Sequence, residues 1–349
     1  MIIDRLRFGS LPDGRDVHLF RLRLTSDVTI EVLELGAIVR SLRVPDRTGA
    51  VGDVVLGYDD LEGYVSDSWF LGGIVGRYGG RIAQGRYSLD GQEHQLEAND
   101  GPHHLHGGAR GYHLRLWDVE PFASPSGVGV VLRLSDEPGG GYPGRLDVEA
   151  SYTLTPANEW IVEYSAETDE ATVLNLTQHS YFNLSGGAGD VQGHRLLVHA
   201  DAYVATDATL IPTGDLMHVA GTPLDFRTAA PVGARIDDPS LADARGYDHD
   251  FVLRRPGDAG VAAARLLEPR SGRTLEIRST EPALHVYSGN FLDGSRFGKG
   301  GRRLSHRQGL CLETQHLPDS PNHPQFPSTV LRPGETFRSR TVYAFGTDR

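Results

Sequence analysis

Short segments that alternate apolar and polar residues dominate this chain. They are rich in β-branched residues and lie between frequent glycines and prolines, which is typical of half-buried β-strands. The clearest segments are VTIEVLEL, DVVLGY, VGVVLRL, LDVEASYTL, WIVEYSAE, TLEIRS and LHVYSGNF. Two breaks have the sequence of hairpin turns, Asp90-Gly91 in RYSLDGQEHQLE and Ser271-Gly272 in EPRSGRTLEI. The pattern therefore predicts a chain of antiparallel strands.

Helical periodicity is scarce by comparison. Only short stretches near Pro231 to Ile236 and Pro239 to Ala244 have helical character, and strands do not alternate with helices. The sequence has no internal repeat, low-complexity tract or linker. We predict an all-β fold, a large single-domain antiparallel β-sandwich over residues 1–349 with few short helices.

Composition and charge narrow the classes of ligand. The 349 residues include 46 Asp and Glu against 34 Lys and Arg, and the net charge of -12 disfavours nucleic acid and anionic membranes. A single cysteine, Cys311, excludes an intramolecular disulfide. No signal peptide is recognisable, and no apolar run approaches the roughly 20 residues of a membrane span. We expect a cytoplasmic protein with a neutral small molecule as its ligand.

The segment NLTQHSYFNL places a histidine on a polar strand face. At strand period, one face carries Asn175, Thr177, His179, Tyr181 and Asn183. An antiparallel sheet often exposes one face to solvent, so the pattern fits a solvated face as well as a binding site.

A second histidine cluster lies in HHLHGG. The spacing of His104 and His106 is found in metal-binding β-proteins, where a carboxylate usually follows a few residues on. Gly107 and Gly108 follow here instead, so we predict no metal. The remaining readings are a loop of surface histidines or a glycine-lined approach of the backbone to a ligand.

Three further motifs carry charged groups. In CLETQ, alternation puts Glu313 on one face with Cys311 and Gln315, and burial there would raise its pKa and make it a better proton acceptor at neutral pH. A solvated glutamate at a strand end is the alternative. GYDHDF supplies Asp248 and Asp250. In GRYGGRIAQGRY, glycines frame Arg77 and Arg81, which fit either a structural ion pair or a fork that orients a ligand. Nucleotide, zinc-protease and nucleophile-elbow motifs are missing from the sequence, so no cofactor is predicted.

Taken in order, several stretches resemble the galactose mutarotase (aldose 1-epimerase) family. The stretches are GRYGGRI, LHGG, NLTQHSYFNL, GYDHDF, YSGNFLDG and CLETQHLPDS, with DVVLGYDDLEGY, GYPG, TLIPTGD and LRPGE as weaker matches. The resemblance covers almost the whole chain. It implies a β-supersandwich with an open cleft, and an enzyme that interconverts the α and β anomers of free aldoses such as galactose and glucose.

The resemblance also implies roles for individual residues. His179 matches the general acid that protonates the ring oxygen, and Glu313 matches the general base that takes the proton of the anomeric hydroxyl. His106 resembles a second histidine near the reacting atoms, and Arg81 and Asp248 resemble residues that hold sugar hydroxyls. A free monosaccharide is the implied partner, bound by a monomer or homodimer without a cofactor.

Two positions depart from the family pattern. Many members have asparagine where this chain has Gly80 and glutamine where it has His285, and both positions would touch the sugar. We expect Gly80 to leave room for water. His285 keeps one donor and one acceptor when neutral but can become charged at about pH 6.5, so it should reshape its contact rather than abolish it. Gly80→Asn should then tighten the KM for hexoses, and the parent should accept several aldoses.

Two other functions compete with this one. A catalytically silent sugar-binding sandwich would have lost His179 or Glu313, yet both are present. A hexose-phosphate mutarotase would need extra basic residues for the phosphate, and the matched motifs add none beyond Arg81.

Overall fold

Antiparallel pairing joins the strands into three large sheets and four two-stranded ribbons within residues 2–24, 28–187 and 189–348, which the computed structural model describes. The five-stranded sheet has the order β1 (Ile2–Ser10), β2 (Asp16–Arg23), β3 (Thr29–Leu33), β4 (Val39–Pro45) and β5 (Val51–Asp53). The nine-stranded sheet has the order β11 (Asp118–Ser124), β12 (Gly127–Asp136), β13 (Leu146–Leu154), β14 (Glu159–Thr168), β28 (Phe337–Thr347), β24 (Arg273–Ser279), β23 (Ala262–Leu267), β18 (Arg195–Val198) and β21 (Ala230–Pro231). The six-stranded sheet has the order β17 (Tyr181–Phe182), β26 (Leu310–Gln315), β25 (Ala283–Tyr287), β22 (Asp248–Leu253), β19 (Ala200–Thr206) and β20 (Pro212–His218).

The ribbons and helices are short. The ribbons pair β6 (Ile74–Val75) with β16 (Thr177–Gln178), β7 (Arg81–Ile82) with β10 (His104–Leu105), β8 (Arg86–Leu89) with β9 (Gln92–Gln95), and β15 (Thr172–Val173) with β27 (Val330–Leu331). The α-helix α1 spans Leu61–Val65. The 3₁₀ turns span Ala83–Gly85, Gly108–Arg110, Tyr112–Leu114, Val232–Ala234, Pro239–Leu241, Lys299–Gly301 and Ser320–Asn322. No helix among the described residues is long and apolar enough to cross a membrane.

The predicted all-β fold of antiparallel sheets with few short helices is confirmed. Both hairpins form. Asp90 and Gly91 make a two-residue turn between β8 and β9, whereas Ser271 and Gly272 lie in a longer connection between β23 and β24. Each predicted helical stretch contains only a three-residue 3₁₀ turn. The single-domain organisation over residues 1–349 stays a prediction.

A shared apolar core joins the three large sheets. Along β13 the buried and exposed positions alternate, as a strand with one face on the core requires. The indole of Trp160 stacks on Tyr343 with 4.7 Å between ring centroids, and Tyr343 in turn contacts Phe182 of the six-stranded sheet. The Tyr152 hydroxyl donates to the Ala37 carbonyl oxygen beside the five-stranded sheet. Aromatic side chains thus tie the sheets behind the polar face described below.

The segment 175–184 is not one continuous strand. Its chain pairs first with β6 through β16 and then turns into the six-stranded sheet through β17, so His179 lies in the bend between two sheets. Both sets of side chains are buried, including Gln178 and Ser180. A solvated polar face is therefore the wrong interpretation of this segment, because the bend encloses polar groups that a straight strand would have exposed.

Candidate active site

One face of the six-stranded sheet carries most of the polar residues that the motifs single out. Because side chains alternate along a strand, Asp248 and Asp250 of β22, His285 and Tyr287 of β25, and Glu313 of β26 face one cavity. The strand register sets Asp250 opposite His285 and His285 opposite Glu313. Register therefore builds a row of titratable groups across three neighbouring strands.

The cavity has a volume of about 310 Å³. It brings together all the site residues predicted from the sequence, namely Gly80, Arg81, His106, His179, Asp248, His285 and Glu313. Their catalytic and binding roles are the subject of the proposal below.

Strand β26 is buried on both faces, which explains the environment of Glu313. Leu310 and Leu312 point into the main core, while Cys311, Glu313 and Gln315 alternate to the other face. Glu313 is 1% exposed, and its Oε2 has no hydrogen-bond partner among the described residues. Burial raises the pKa of Glu313 to about 8, because the charged carboxylate loses its hydration there. A solvated strand-end glutamate is thereby excluded.

His179 faces Glu313 from the bend between β16 and β17. Its Nε2 lies 3.7 Å from Glu313 Oε1, and its Nδ1 lies 3.6 Å from the Cys311 thiol. The backbone of His179 is held at both ends, since its N–H donates to the Gly73 carbonyl and its own carbonyl accepts from the Gly72 N–H. Burial lowers the pKa of His179 to about 3, so the imidazole is neutral at pH 7.

A reciprocal contact with the backbone of Gly80 orients His106. The backbone N–H of His106 donates to the Gly80 carbonyl, and the backbone N–H of Gly80 donates to the ring Nδ1 of His106 at 3.1 Å. Since Nδ1 accepts, the proton of the neutral ring lies on Nε2. Burial lowers the pKa of His106 well below its ordinary value, and the neighbouring His179 adds to this effect because two protonated rings would repel each other. His106 can therefore donate one hydrogen bond without carrying a charge.

The glycines after His106 serve the packing of the chain. A Cβ on Gly107 would lie 1.9 Å from the Gly76 carbonyl oxygen, and the residue has a φ of +84°. The close approach at Gly107 is thus to another backbone segment, and that at Gly108 is to the side chains of Glu97 and His104.

Of the two roles considered for Arg77 and Arg81, a structural ion pair and a group that orients a ligand, each arginine fits a different one. Arg77 is 2% exposed and binds Asp136 through Nε and Nη2, with donors left for backbone carbonyls. Arg81 lines the cavity and forms one ion pair, from Nε to Asp100 Oδ2 at 2.8 Å. Arg77 therefore forms a structural ion pair, whereas Arg81 lies at the cavity with guanidinium donors that a ligand can reach.

His285 bridges two carboxylates of the neighbouring strand. Its Nε2 lies 2.8 Å from Asp248 Oδ1, and its Nδ1 makes an ion-pair contact of 3.1 Å with Asp250 Oδ1. Burial alone would lower the pKa of His285, yet Asp250 and Asp248 raise it well above its ordinary value. Of the neutral and charged forms expected for His285, the charged form fits this geometry, because both ring nitrogens face carboxylate oxygens.

The histidines that suggested a metal point in different directions. His104 bonds the Glu97 carbonyl and the Tyr142 hydroxyl, away from His106. Among the described residues, His179, Cys311 and Glu313 do bring possible ligand atoms within 4.8 Å of one another. Burial raises the pKa of the Cys311 thiol well above its ordinary value, however, and a protonated thiol is a poor metal ligand.

Sequence reasoning missed the aromatic residues of the cavity, of which Phe70 is the most informative. Its ring packs on His106, His113 and His179 with centroid distances of 4.7, 4.6 and 5.7 Å, and so keeps water from these rings. Phe70 has a φ of +59°, which a bulky residue rarely adopts. No local signal in the sequence predicts an aromatic residue in that conformation. Trp69 and Phe291 also line the cavity.

Comparison with known proteins identifies the family of the chain. The family model described as aldose 1-epimerase matches residues 18–344. The chain belongs to the aldose 1-epimerase family. It is 41% identical over 345 residues to galactose mutarotase from Mus musculus, covering 98% of each chain, and 38% identical over 338 residues to aldose 1-epimerase from Escherichia coli strain K12, covering 96% of each.

Solved structures give the same assignment. The GalM/aldose epimerase homologue from C. elegans matches with a TM-score of 0.88 at 30% identity, over 95% of this chain and 99% of that one. The galactose 1-epimerase from Lactobacillus acidophilus NCFM matches with a TM-score of 0.88 at 28% identity, over the whole of both chains. Membership of the aldose 1-epimerase family confirms the resemblance seen in the motifs, and the chain is an isomerase of that family.

Within the aldose 1-epimerase family pattern, Gly80 is the position where the structure changes an expectation. Gly80 has a φ of +80°, and a Cβ built on it would lie 2.7 Å from Pro318 Cγ. The space beside Gly80 is therefore filled by the Pro318 ring and is not open to water. An asparagine here would have to displace that ring.

Proposed function

We propose that the cavity binds a free aldose monosaccharide and that Glu313 and His179 open and close its ring by acid–base catalysis, which makes the protein a mutarotase. The observation that carries the proposal is the buried pair itself, with His179 Nε2 3.7 Å from Glu313 Oε1 at one cavity. A hemiacetal opens when one proton leaves the anomeric oxygen while another reaches the ring oxygen, so a base and an acid must act together.

Ring opening leaves the number of protons on Glu313 and His179 unchanged, since the pair gains one proton and supplies another. Glu313 accepts the proton of the anomeric hydroxyl, the bond between the anomeric carbon and the ring oxygen breaks with its electrons going to that oxygen, and His179 supplies the proton it receives. The anomeric carbon becomes an aldehyde. Rotation of this group and closure on its other face return both protons. His106 donates from Nε2 to an oxygen near the reacting centre.

The reactive and the resting forms of the pair differ by one internal proton transfer. Burial disfavours charge on both groups, so the shared proton lies on Glu313 at pH 7. Transfer across the 3.7 Å gap would give the carboxylate and imidazolium that ring opening consumes. The net charge of the pair does not change in this transfer, so it needs no proton from solvent.

The other groups of the cavity suit hydroxyl recognition. Arg81 and Asp248 can hold sugar hydroxyls as donor and acceptor, while the rings of Trp69 and Phe291 offer apolar faces at the same cavity. Arg81 is the only lysine or arginine among the described residues that line the cavity, and Asp100 already pairs with it. This charge balance favours a free aldose over a hexose phosphate. A cytoplasmic location and a monomer or homodimer remain part of the proposal.

Polarimetry tests the proposed function. The rotation of freshly dissolved α-galactose and α-glucose should relax to equilibrium much faster with the protein than without it. The same acceleration should persist after exhaustive chelation, since the proposed mechanism uses no metal. Binding of sugar with no acceleration would support the silent binding protein instead, and acceleration restricted to hexose phosphates would support the third candidate.

We expect a broad bell-shaped dependence of kcat/KM on pH. Below the lower pKa, about 3 for His179, both groups carry protons and no base remains. Above the higher pKa, about 8 for Glu313, the pair has lost the proton it must supply. The two limbs report the pair as a unit rather than either residue alone. The measurement is kcat/KM at each pH, corrected for spontaneous mutarotation. A monotonic rise of kcat/KM from about pH 5 to pH 9 would contradict the bell-shaped profile.

Gly80→Asn should lower stability and should not tighten KM. The new Cβ meets the Pro318 ring, and overpacking of this kind typically costs about 1–3 kcal/mol of unfolding free energy. Gly91→Asn is the matched control, because Gly91 also has a φ of +80° but nothing within 4 Å of a Cβ. Chemical denaturation of both variants separates the clash from the backbone effect. Equal losses in the two, or a lower hexose KM in Gly80→Asn, would contradict this account of Pro318.

A further inference from the structure

The contacts of His285 distinguish it from a residue that binds sugar through its ring nitrogens. A neutral imidazole has one donor and one acceptor nitrogen, and an acceptor facing a carboxylate oxygen would be repelled. In this chain Nε2 lies 2.8 Å from Asp248 and Nδ1 lies 3.1 Å from Asp250. The Nε2 contact is a hydrogen bond, whereas Nδ1 is buried and faces the Asp250 carboxylate without hydrogen-bond alignment. A proton on each nitrogen makes both contacts attractive. This geometry fits a His285 cation between two buried carboxylates, with Nδ1 buried away from a ligand.

The strand register extends this cluster to the proposed base. Asp250, His285 and Glu313 are directly opposite one another on β22, β25 and β26, and residues in that relation have side chains close together. Gln315 donates from Nε2 to the same Oδ1 of Asp250 and fixes that carboxylate from the strand of Glu313. The charge of His285 therefore acts between the two aspartates and Glu313.

We propose that His285 is a positioning residue whose cationic ring clamps Asp248 and Asp250 and offsets their negative charge at Glu313. Through this clamp, Asp248 presents its second oxygen to the sugar, and Glu313 can lose its proton in spite of two neighbouring carboxylates. The proposal rests on the proposed function for its kinetic consequence, but not for the clamp itself.

The electrostatic effects on Glu313 have opposite signs. Burial raises the pKa of Glu313, the charge of His285 opposes that rise, and Asp250 and Asp248 add to it. The other titratable groups facing Glu313 from its own and the neighbouring elements are His179, Tyr181, Tyr287, Cys311, Tyr164 and Tyr343. These are uncharged near neutral pH, since burial lowers the pKa of the histidine and raises the pKa values of the tyrosines and the thiol. His285 and the two aspartates are thus the groups whose removal moves the protonation of Glu313.

Two substitutions with opposite expected shifts test the proposal. His285→Gln introduces the residue that is common in the family and removes the positive charge that lowers the pKa of Glu313. The alkaline limb of the kcat/KM profile should therefore move up by about one pH unit. KM should also rise because Asp248 is no longer held. Asp250→Asn removes a negative charge, so its alkaline limb should move down. A purely structural role would lower the rate in both variants and leave the limb where it is in the parent.

Nuclear magnetic resonance makes the test independent of catalysis. The ring nitrogens of His285 should both remain protonated at pH 7, while those of His106 and His179 show neutral rings. The titration of the Glu313 carboxyl carbon should follow the same two shifts. If the parent failed to accelerate mutarotation while these titrations behaved as expected, the proposed function would be wrong and the clamp would stand. A neutral His285 at pH 7, or shifts of the same sign in both variants, would overturn the clamp.

Discussion

Glu313→Gln should lower the kcat for mutarotation by about 10²- to 10⁴-fold, which is the usual contribution of a well-placed acid or base. The amide keeps the shape of the side chain but cannot accept the anomeric proton. The folded protein should tolerate it, because burial already favours an uncharged carboxyl group at this position at pH 7. KM should change little. Polarimetric progress curves at several sugar concentrations separate the two constants.

His179→Asn should have an effect of similar size, and the double variant shows whether the two residues act as a unit. If Glu313 and His179 each contribute to catalysis only when the other is present, the kcat of the double variant should be about as low as that of either single variant. Independent contributions would instead multiply the two losses. Glu31→Gln provides the control for a buried glutamate, since Glu31 is 6% exposed and pairs with Arg21 and Arg40 in the five-stranded sheet. Near-parental turnover in Glu313→Gln would remove it from the mechanism.

The sequence allowed prediction of those parts of the site that follow strand alternation. A period of two places Glu313 on a face with Cys311 and Gln315, and the structure has them there. Alternation cannot give the register between strands, since Asp250, His285 and Glu313 are far apart in the chain and meet only through pairing. The charge state of His285 depends on that register. This is why the sequence alone leaves the neutral and the charged forms of His285 both open.

Other features depend on backbone geometry that residue patterns do not encode. The bend at His179 forms because the chain pairs with β6 and then with β26, two segments that are distant in sequence. The ring of Pro318 beside Gly80 comes from the loop after β26, so it could not be inferred from GGRI alone. Phe70 adopts a conformation that its residue type disfavours. In each case tertiary contacts override the local preference.

The glycine-rich segment that carries Arg81 also contains the most deeply buried ion pair of this region. Arg77 donates to Asp136 with both Nε and Nη2, and its Nη1 lies within hydrogen-bond distance of the Pro143 and Gly144 carbonyls. The Tyr112 hydroxyl donates to the same carboxylate. Asp136 also pairs through Oδ1 with Arg110 at 3.3 Å and Arg115 at 3.0 Å, so loss of Arg77 would remove the arginine donors from Oδ2 and from the two carbonyls.

Arg77→Met should therefore lower the free energy of unfolding by about 1–3 kcal/mol, the usual cost of leaving buried polar groups without a partner, since Arg110 and Arg115 still pair with Asp136. Arg133→Met is the matched control, because Arg133 makes similar pairs with Glu120 and Glu149 on the surface, where solvent screens them. Denaturant unfolding of both variants should show a large loss only for Arg77. Since residues 74–82 supply Gly80 and Arg81 to the cavity, partial loss of order there should also raise KM before the protein unfolds. Similar stability losses in the two variants would mean that burial of the Arg77–Asp136 pair does not set its importance.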